Sequence, residues 1–502
     1  MLEVKNVDIL ISTHYLIEDL SFTLRSGDKL AIIGEEGNGK STLLKSILGR
    51  CDYATLRGSV DFKGNKVGYL EQSLNTEDLE IKVYEYLFKS DDDYYNKVNR
   101  LYKYLDKLGI GDELLEQVMK SLSGGERVKI GILKLLLEEN DIYFLDEPTN
   151  DLDINTLKWL EKFIKETSKP IIYVSHDETL LANTANMILH IEQIKKKQEC
   201  RHTLAKVGYD EYVEKRLNAI KKQTQIAISE KREFNKKEKR LREIMQSVEH
   251  EQNTISRSDP HGARLLKKKM KSLKAQEHRL ENNALTELPT VEESIYFNFE
   301  EVNVPKNKEI IKLNIPELKV DGKILSHNIR LDVIGNTHLC MIGNNGVGKS
   351  TLIKIIYNEL KTRKDIVIGY MPQDYEDILN NYTYVLDFLA DKNKENITHA
   401  RMYLGNMNFT REEMTGKIEY LSNGTKAKLF LIKLVLENCN VLILDEPTRN
   451  VSPLSNPVIR SVLANFKGTI ISVSHDRKYL KEVINELYEL TEDGLIKINY
   501  LD

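Results

Sequence analysis

Two distant parts of this 502-residue sequence repeat one another motif for motif. GEEGNGKST at 34–42 returns as GNNGVGKST at 343–351, an offset of 309 residues. LSGGE at 122–126 returns as LSNGT at 421–425, YFLDEPT at 143–149 as LILDEPT at 442–448, and VSHD at 174–177 as VSHD at 473–476. These three share an offset of 299, so the ten-residue difference lies between the first and second motifs. Gln72 and Gln373, 301 apart, place most of it ahead of the glutamine. Repetition that keeps both order and spacing marks a duplicated unit. We therefore expect an α/β chain of two homologous domains, 1–200 and 292–502, with a different element at 201–291.

Each GxxxxGK[ST] segment follows a short apolar run, Leu30–Ile33 or Leu339–Ile342, and opens a helical pattern. That is the strand–loop–helix context of a phosphate-binding loop. Gly34, Gly37 and Gly39, like Gly343, Gly346 and Gly348, let backbone N–H groups turn toward phosphates at a helix N-terminus. Asn38, Thr42 and Thr351 complete the two loops. Lys40 and Lys349 are expected to reach the β- and γ-phosphates, and Ser41 and Ser350 to ligate Mg²⁺. ATP and Mg²⁺ are thus the expected ligands.

Asp146 and Asp445 each end an apolar strand, which would place a carboxylate beside that metal. Glu147 and Glu446 follow immediately and are positioned to polarise an attacking water. Gln72 and Gln373 carry side-chain oxygens that can touch the Mg²⁺ or the water. His176 and His475, 30 residues beyond the aspartates, are expected at the γ-phosphate. Taken singly, an Asp-Glu pair reads as a surface turn and a histidine as structural. Their duplication in register with two phosphate loops reverses that reading.

The region 201–286 holds about 21 Lys and Arg against about 12 Asp and Glu. Its apolar residues follow alternating steps of four and three: Leu217, Ile220, Ala227, Phe234, Leu241, Met245, Val248. Thr224, Lys231 and Glu238 interrupt that stripe. A second run, Leu266, Met270, Leu273, Leu280 and Ala284, repeats the period around Glu277. This is the pattern of two helices packed along a narrow seam. A first helix over 209–248 would extend about 60 Å. Asp259-Pro260 reads as an N-cap and first helical position that start the second helix. The turn of this helical hairpin falls near 249–263. Arg264, Lys267, Lys268, Lys269, Lys271 and Lys274 follow the turn; such a run alone reads as a solvated coiled coil, but the positive excess with few acids near the turn favours phosphate contacts with RNA. Ile255, Ser256, Arg257, Ser258 and His261 within it are further candidates for RNA contact.

Composition excludes several classes. No apolar stretch approaches the roughly 20 residues that span a bilayer. The start, MLEVKNVDIL, has no basic segment followed by an apolar run. Cys51, Cys200, Cys340 and Cys439 form no CxxC pair, so neither a zinc site nor an iron–sulfur cluster is expected. The chain reads as a soluble, cytoplasmic protein with no membrane segment.

These motifs, with the LSGGE segment between them, resemble the ATP-binding-cassette (ABC) family across both end domains. In that family two nucleotide-binding domains pair head to tail and enclose two ATP molecules. The resemblance implies an ATPase in which Lys349 works with Ser123, Gly124 and Gly125, and Lys40 with Ser422 and Gly424. The two domains would pair within one monomer. The second signature departs from the family at Asn423 and Thr425, and the segment after the second Asp-Glu pair reads RNVS at 449–452 against NDLD at 150–153. The Lys40 site is therefore expected to close or hydrolyse less well. Tyr15, 25 residues before Lys40, is a candidate for stacking on adenine and equally for plain strand packing. Ile324 holds the matching place before Lys349.

Two cassettes fused through a charged hairpin without a membrane span resemble the ABC-F branch, whose members act on ribosomes. The intervals Gln72–Leu122 and Gln373–Leu421 leave no room for the extra arm of its translation factors. NTISRSDPHGARLLKKKM at 253–270 and EPTRNVSPLSNP at 446–457 look like its antibiotic-resistance members, which protect against pleuromutilins, lincosamides and streptogramin A. The resemblance implies a 70S ribosome partner, with ribosomal RNA and peptidyl-tRNA contacted from the tRNA exit site. A housekeeping translation factor and the ATPase subunit of an exporter are the alternatives.

Overall fold

The computed structural model describes residues 1–12, 14–72, 74–88, 94–150, 152–194, 199–255, 260–281, 296–299, 304–320, 322–390 and 394–499. They form two compact units: one contains both ends of the chain, Met1–Tyr209 and Glu292–Asp502, and the other is Asp210–Val291.

Both repeats in the first unit fold alike. Val67–Leu70, Ile142–Asp146, Ile171–Val174, Lys29–Ile33, Met187–Gln193 and Glu199–Ala205 lie side by side in that order. The first five strands are parallel and the last is antiparallel. Ile142–Asp146 and Ile171–Val174 are buried along their whole length, as expected of runs covered on both faces. Because Glu199–Ala205 pairs with Met187–Gln193, the first sheet continues past residue 200. The second sheet repeats the order with Ile368–Met371, Val441–Asp445, Thr469–Val473, His338–Ile342, Glu486–Thr491 and Gly494–Ile498. An antiparallel layer flanks each: Leu2–Ile11, His14–Leu24 and Ala54–Asp61 in the first repeat, Glu309–Val320 with Lys323–Ile334 in the second. The α/β fold class and tandem cassettes are thus present.

The strand order sets the chemistry. Lys29–Ile33 lies between Ile171–Val174 and Met187–Gln193, so the loop leaving it opens beside the ends of Ile142–Asp146 and Ile171–Val174. The carboxyl ends of neighbouring parallel strands are where α/β sheets gather ligands. The 299-residue repeat therefore brings Asp146 and His176 to Lys40, and Asp445 and His475 to Lys349.

In the second unit the helix Tyr209–Thr254 has 46 residues, about 70 Å at the usual rise. It runs six residues beyond the expected end at 248, and the helix Pro260–Glu281 follows. Ile220, Thr224, Phe234, Glu238, Leu241 and Met245 are half-buried, and Ala227 and Val248 are buried, so the stripe is present. Two expected positions fall off it. Leu217 is 61% exposed, and Glu230 rather than Lys231 lies on the seam. Thr224 fits because its hydroxyl donates to the Ile220 carbonyl of its own helix, 2.8 Å away. Ser256, Arg257, Ser258, Asp259 and Ala284 lie outside the described residues.

Candidate functional site

The two phosphate loops have the same backbone. Gly37 and Gly39 stand at φ 79° and 80°, Gly346 and Gly348 at 80° and 102°, left-handed values that side-chain-bearing residues rarely adopt. Lys40 and Lys349 begin their helices and curl back over the loops. The Lys40 amine donates to the Gly34 and Glu35 carbonyls at 3.0 and 3.1 Å, and Lys349 to Gly343 and Asn344, both at 2.9 Å. Asn38 anchors the first loop by donating to the Ile191 carbonyl at 3.0 Å. Thr42 meets the Tyr53 hydroxyl at 3.1 Å.

In each cassette two of the three expected metal residues bond one another. Ser41 donates to Asp146 at 2.8 Å, and Tyr69 donates to the other carboxylate oxygen at 3.1 Å. In the second cassette Ser350 donates to the Gln373 side-chain oxygen at 3.2 Å. Asp445 is buried, and neither of its carboxylate oxygens has a hydrogen-bond partner among the described residues. Burial pushes the Asp445 carboxyl above its ordinary pKa, against nearby Ser350 and Lys349. An oxygen-only donor set around an orphaned buried carboxylate fits a hard divalent cation. Ser41, Asp146 and Gln72, or Ser350, Asp445 and Gln373, would hold Mg²⁺, which supplies charge neutralisation at the β- and γ-phosphates.

Glu147 and Glu446 sit one residue beyond those aspartates, at φ 49° and 56°. A left-handed glutamate costs about 1 kcal/mol, a strain typical of functional positions. Their amides donate to the neighbouring strand, Val174 at 3.1 Å and Val473 at 2.9 Å, which holds the turn. Gln72 and Asn150 each donate to Glu147 at 2.8 Å. His176 lies 3.4 Å from Glu147, 2.9 Å from Glu36, and 2.9 Å through its other nitrogen from the Val451 carbonyl of the second cassette. His475 lies 3.8 Å from Glu446. Tyr69, Asn150, Glu35 and Glu36 were not singled out from sequence. Tyr69 carries a signal, since Tyr370 repeats it at the glutamine's offset of 301.

The signature segments face the opposite loops. Ser123 caps the helix Gly124–Leu137, and Glu126 closes the reciprocal capping bond. Ser422 caps Asn423–Leu436 through the Thr425 amide at 3.2 Å, so the departures at Asn423 and Thr425 leave the helix start intact. A methyl group on Gly424 would lie 1.9 Å from the Glu36 side chain and 2.5 Å from the Asn450 carbonyl. Only glycine permits this approach of the first phosphate loop. Gly125 instead faces Thr156. A cavity of about 1240 Å³ is lined by Ser123 and Gly124 on one side and by Gly346, Lys349, Ser350 and Thr351 on the other. Val320 and Ile324 form part of its wall. Tyr15 is 38% exposed, next to Leu16, which packs against Gly39.

Two phosphate loops, each facing a signature helix across the cassettes, define a nucleotide-driven ATPase. Residues 17–150 and 326–449 match the ABC transporter family model, and the chain belongs to that family. Its relatives include the ATP-binding protein Uup of Buchnera aphidicola (28% identical over 100% of this chain and 82% of that protein). The ABC transporter F family member 5 of Arabidopsis thaliana is 24% identical over 96% of this chain and 73% of that protein. Among solved structures, the archaeal ribosome recycling factor aABCE1, in complex with ribosomal stalk protein aP1, shares the fold. The TM-score is 0.59 at 17% identity, over 96% of this chain and 88% of that one. This is an ABC-type ATPase.

Proposed function

We propose that this ATPase acts on the ribosome, entering the tRNA exit site with ATP bound and directing its basic hairpin toward peptidyl-tRNA and the peptidyl-transferase centre. There it displaces bound antibiotics, giving resistance by ribosome protection. The observation that carries the reading is the hairpin's charge. Arg264, Lys267, Lys268, Lys269 and Lys271 are all exposed, while Leu266, Met270, Leu273 and Leu280 of the same helix are wholly or partly buried. His261 is exposed and Ile255 half-buried beside the turn. A cationic helix face of this kind binds RNA phosphates with little sequence readout. The ribosome recycling factor of like fold supports a ribosomal partner, and the short Gln72–Leu122 interval supports the resistance branch.

The test substitutes Glu147→Gln and Glu446→Gln together. The variant is expected to bind ATP, lose hydrolysis and co-sediment with 70S ribosomes. Adding Lys267→Glu and Lys268→Glu should weaken that binding and make the log–log salt slope shallower by about two. Sedimentation indifferent to ribosomes, or partition with membranes, would defeat the ribosomal reading. Ribosome binding with unchanged drug susceptibility after deletion would point to a housekeeping translation factor instead.

A further inference from the structure

The two phosphate loops differ at three positions: besides Asn38 against Val347, Glu35 and Glu36 in the first stand where the second has Asn344 and Asn345. The segments after the Asp-Glu pairs differ in the opposite sense, for Asp153 of the first cassette corresponds to Ser452 of the second. In the structure these differences meet. Among the described residues the Glu35 carboxylate is reached by groups of the second cassette: Lys428 donates to it at 2.8 Å, and Ser452 and Ser455 each at 2.5 Å. Lys428, Ser452 and Ser455 are all buried there. At the other site the acid stands on the facing cassette: Asp153 caps its own helix by accepting from the Thr156 amide at 2.8 Å and acts electrostatically on Lys349 and His475.

We infer that Glu35 is a positioning residue for ATP hydrolysis at the Lys40 site: it clasps the first phosphate loop to the second cassette, and it compensates for the serine at 452. The acid of this composite interface has moved from the segment after the Asp-Glu pair into the phosphate loop. The contacts are consistent in charge as well as in place. Burial opposes ionisation of Glu35, yet Lys428 and the two serines hold its carboxyl down at about 2. A buried carboxylate satisfied by an ammonium and two hydroxyls is strongly disfavoured only when one partner is removed. The RNVS segment is therefore matched to its own phosphate loop. The Lys40 site is rebuilt around a different acid, and the inference concerns the two ATP sites whatever the ATPase acts upon.

The test is a swap in the full chain. Native protein, Glu35→Asn, Ser452→Asp and the double variant are trapped with 8-azido-ATP, Mg²⁺ and vanadate, and the label is scored separately on each cassette after proteolysis. Glu35→Asn leaves Lys428 buried without its anion, and Ser452→Asp sets two carboxylates together. Each should lower labelling of the first cassette at least about ten-fold, with the second changed less than about two-fold. The double variant returns a single carboxylate to the interface and should recover to within about three-fold of native, a non-additivity expected of residues in contact. Equal loss on both cassettes, an unchanged ratio in the single variants, or a double variant as poor as either single would overturn the assignment.

Discussion

The Lys40 and Lys349 sites are built from the same motifs, yet they hold their glutamates and histidines in opposite electrostatic states. Burial disfavours the charged forms at both. At the Lys40 site His176, Asn150 and Lys40 nevertheless hold the Glu147 carboxyl down at about 2. Glu147 and Glu36 in turn hold the His176 imidazolium up at about 9, against burial and Lys40. At the Lys349 site burial and Asp445 push Glu446 up to about 8. Burial and Lys349 push His475 down to about 3. The difference arises outside the shared letters. Glu36 and Asn150 are replaced by Asn345 and Arg449, and Gln373 accepts a hydrogen bond from Ser350 where Gln72 donates one to Glu147. A motif fixes where a catalytic group stands, and its neighbours fix the charge it carries.

The same inequality extends to how the cassettes recognise each other. Arg460 donates to Glu178 at 2.5 Å, and Arg477 donates to Glu161 at 2.5 Å. These are one contact made twice, since Glu161 corresponds to Arg460 and Glu178 to Arg477 at the 299-residue offset. The first cassette carries an acid at both places and the second a base at both. Two first cassettes would oppose Glu161 to Glu178, and two second cassettes Arg460 to Arg477, so each cassette rejects its own copy. The largest effect is expected where the pair is driest. Arg460 and Glu178 side chains are 3% and 5% exposed, against 16% and 10% for Arg477 and Glu161. Arg460→Ala should destabilise the chain by about 3 kcal/mol because it strips buried Glu178 of a guanidinium that reaches both its oxygens and leaves it the half-exposed Lys478, and Arg477→Ala by about half as much. Urea unfolding of both variants measures this. Equal losses would show that the two contacts are interchangeable.

A second pair of substitutions tests the electrostatic contrast directly. Glu446→Gln removes a buried carboxyl whose ionisation its site disfavours, and the protein should gain about 1 kcal/mol. Glu147→Gln removes the anion beside His176 and should cost about 2 kcal/mol. Thermal unfolding in EDTA without nucleotide reads the signs, a rise in Tm for the first and a fall for the second. Shifts of the same sign would abolish the distinction between the sites, even though either variant should lose hydrolysis at its own cassette.

How much of this was legible follows from what sequence patterns encode. Strand-ending Asp146 and Asp445, the glycine loops and, Leu217 and Lys231 apart, the hairpin seam are local patterns with a fixed period or context, and they stand where expected. Leu217 was misplaced because an apolar residue in register with a stripe is buried only where a partner covers it. The weaker closure expected at the Lys40 site was read from Asn423, Thr425 and RNVS alone. The compensating group, Glu35, lies more than 400 residues before Ser452, and no short-range rule links them. Charge states were equally hidden, since the His176 environment is assembled from Glu36, Glu147 and Val451, three separate segments.

The smallest expected effect concerns the nucleobase. The Lys349 cavity presents Val320 and Ile324, 36% and 40% exposed, where the first cassette offers Tyr15 at 38%. An aromatic ring stacked on a base contributes about 1–3 kcal/mol, whereas an aliphatic wall offers only dispersion over a smaller face. Ile324→Tyr should therefore tighten ATP binding at the second cassette by about five-fold, taking the low end of that range. Tyr15→Ala should weaken the first cassette by a similar factor, which separates base stacking from strand packing as the role of Tyr15. Titration with a fluorescent ATP analogue, in chains carrying one variant at a time, resolves the two sites. Should Ile324→Tyr leave the second site unchanged while Tyr15→Ala weakens the first, the base in the Lys349 cavity lies away from Ile324, and the cassettes differ in nucleotide pose as well as in charge.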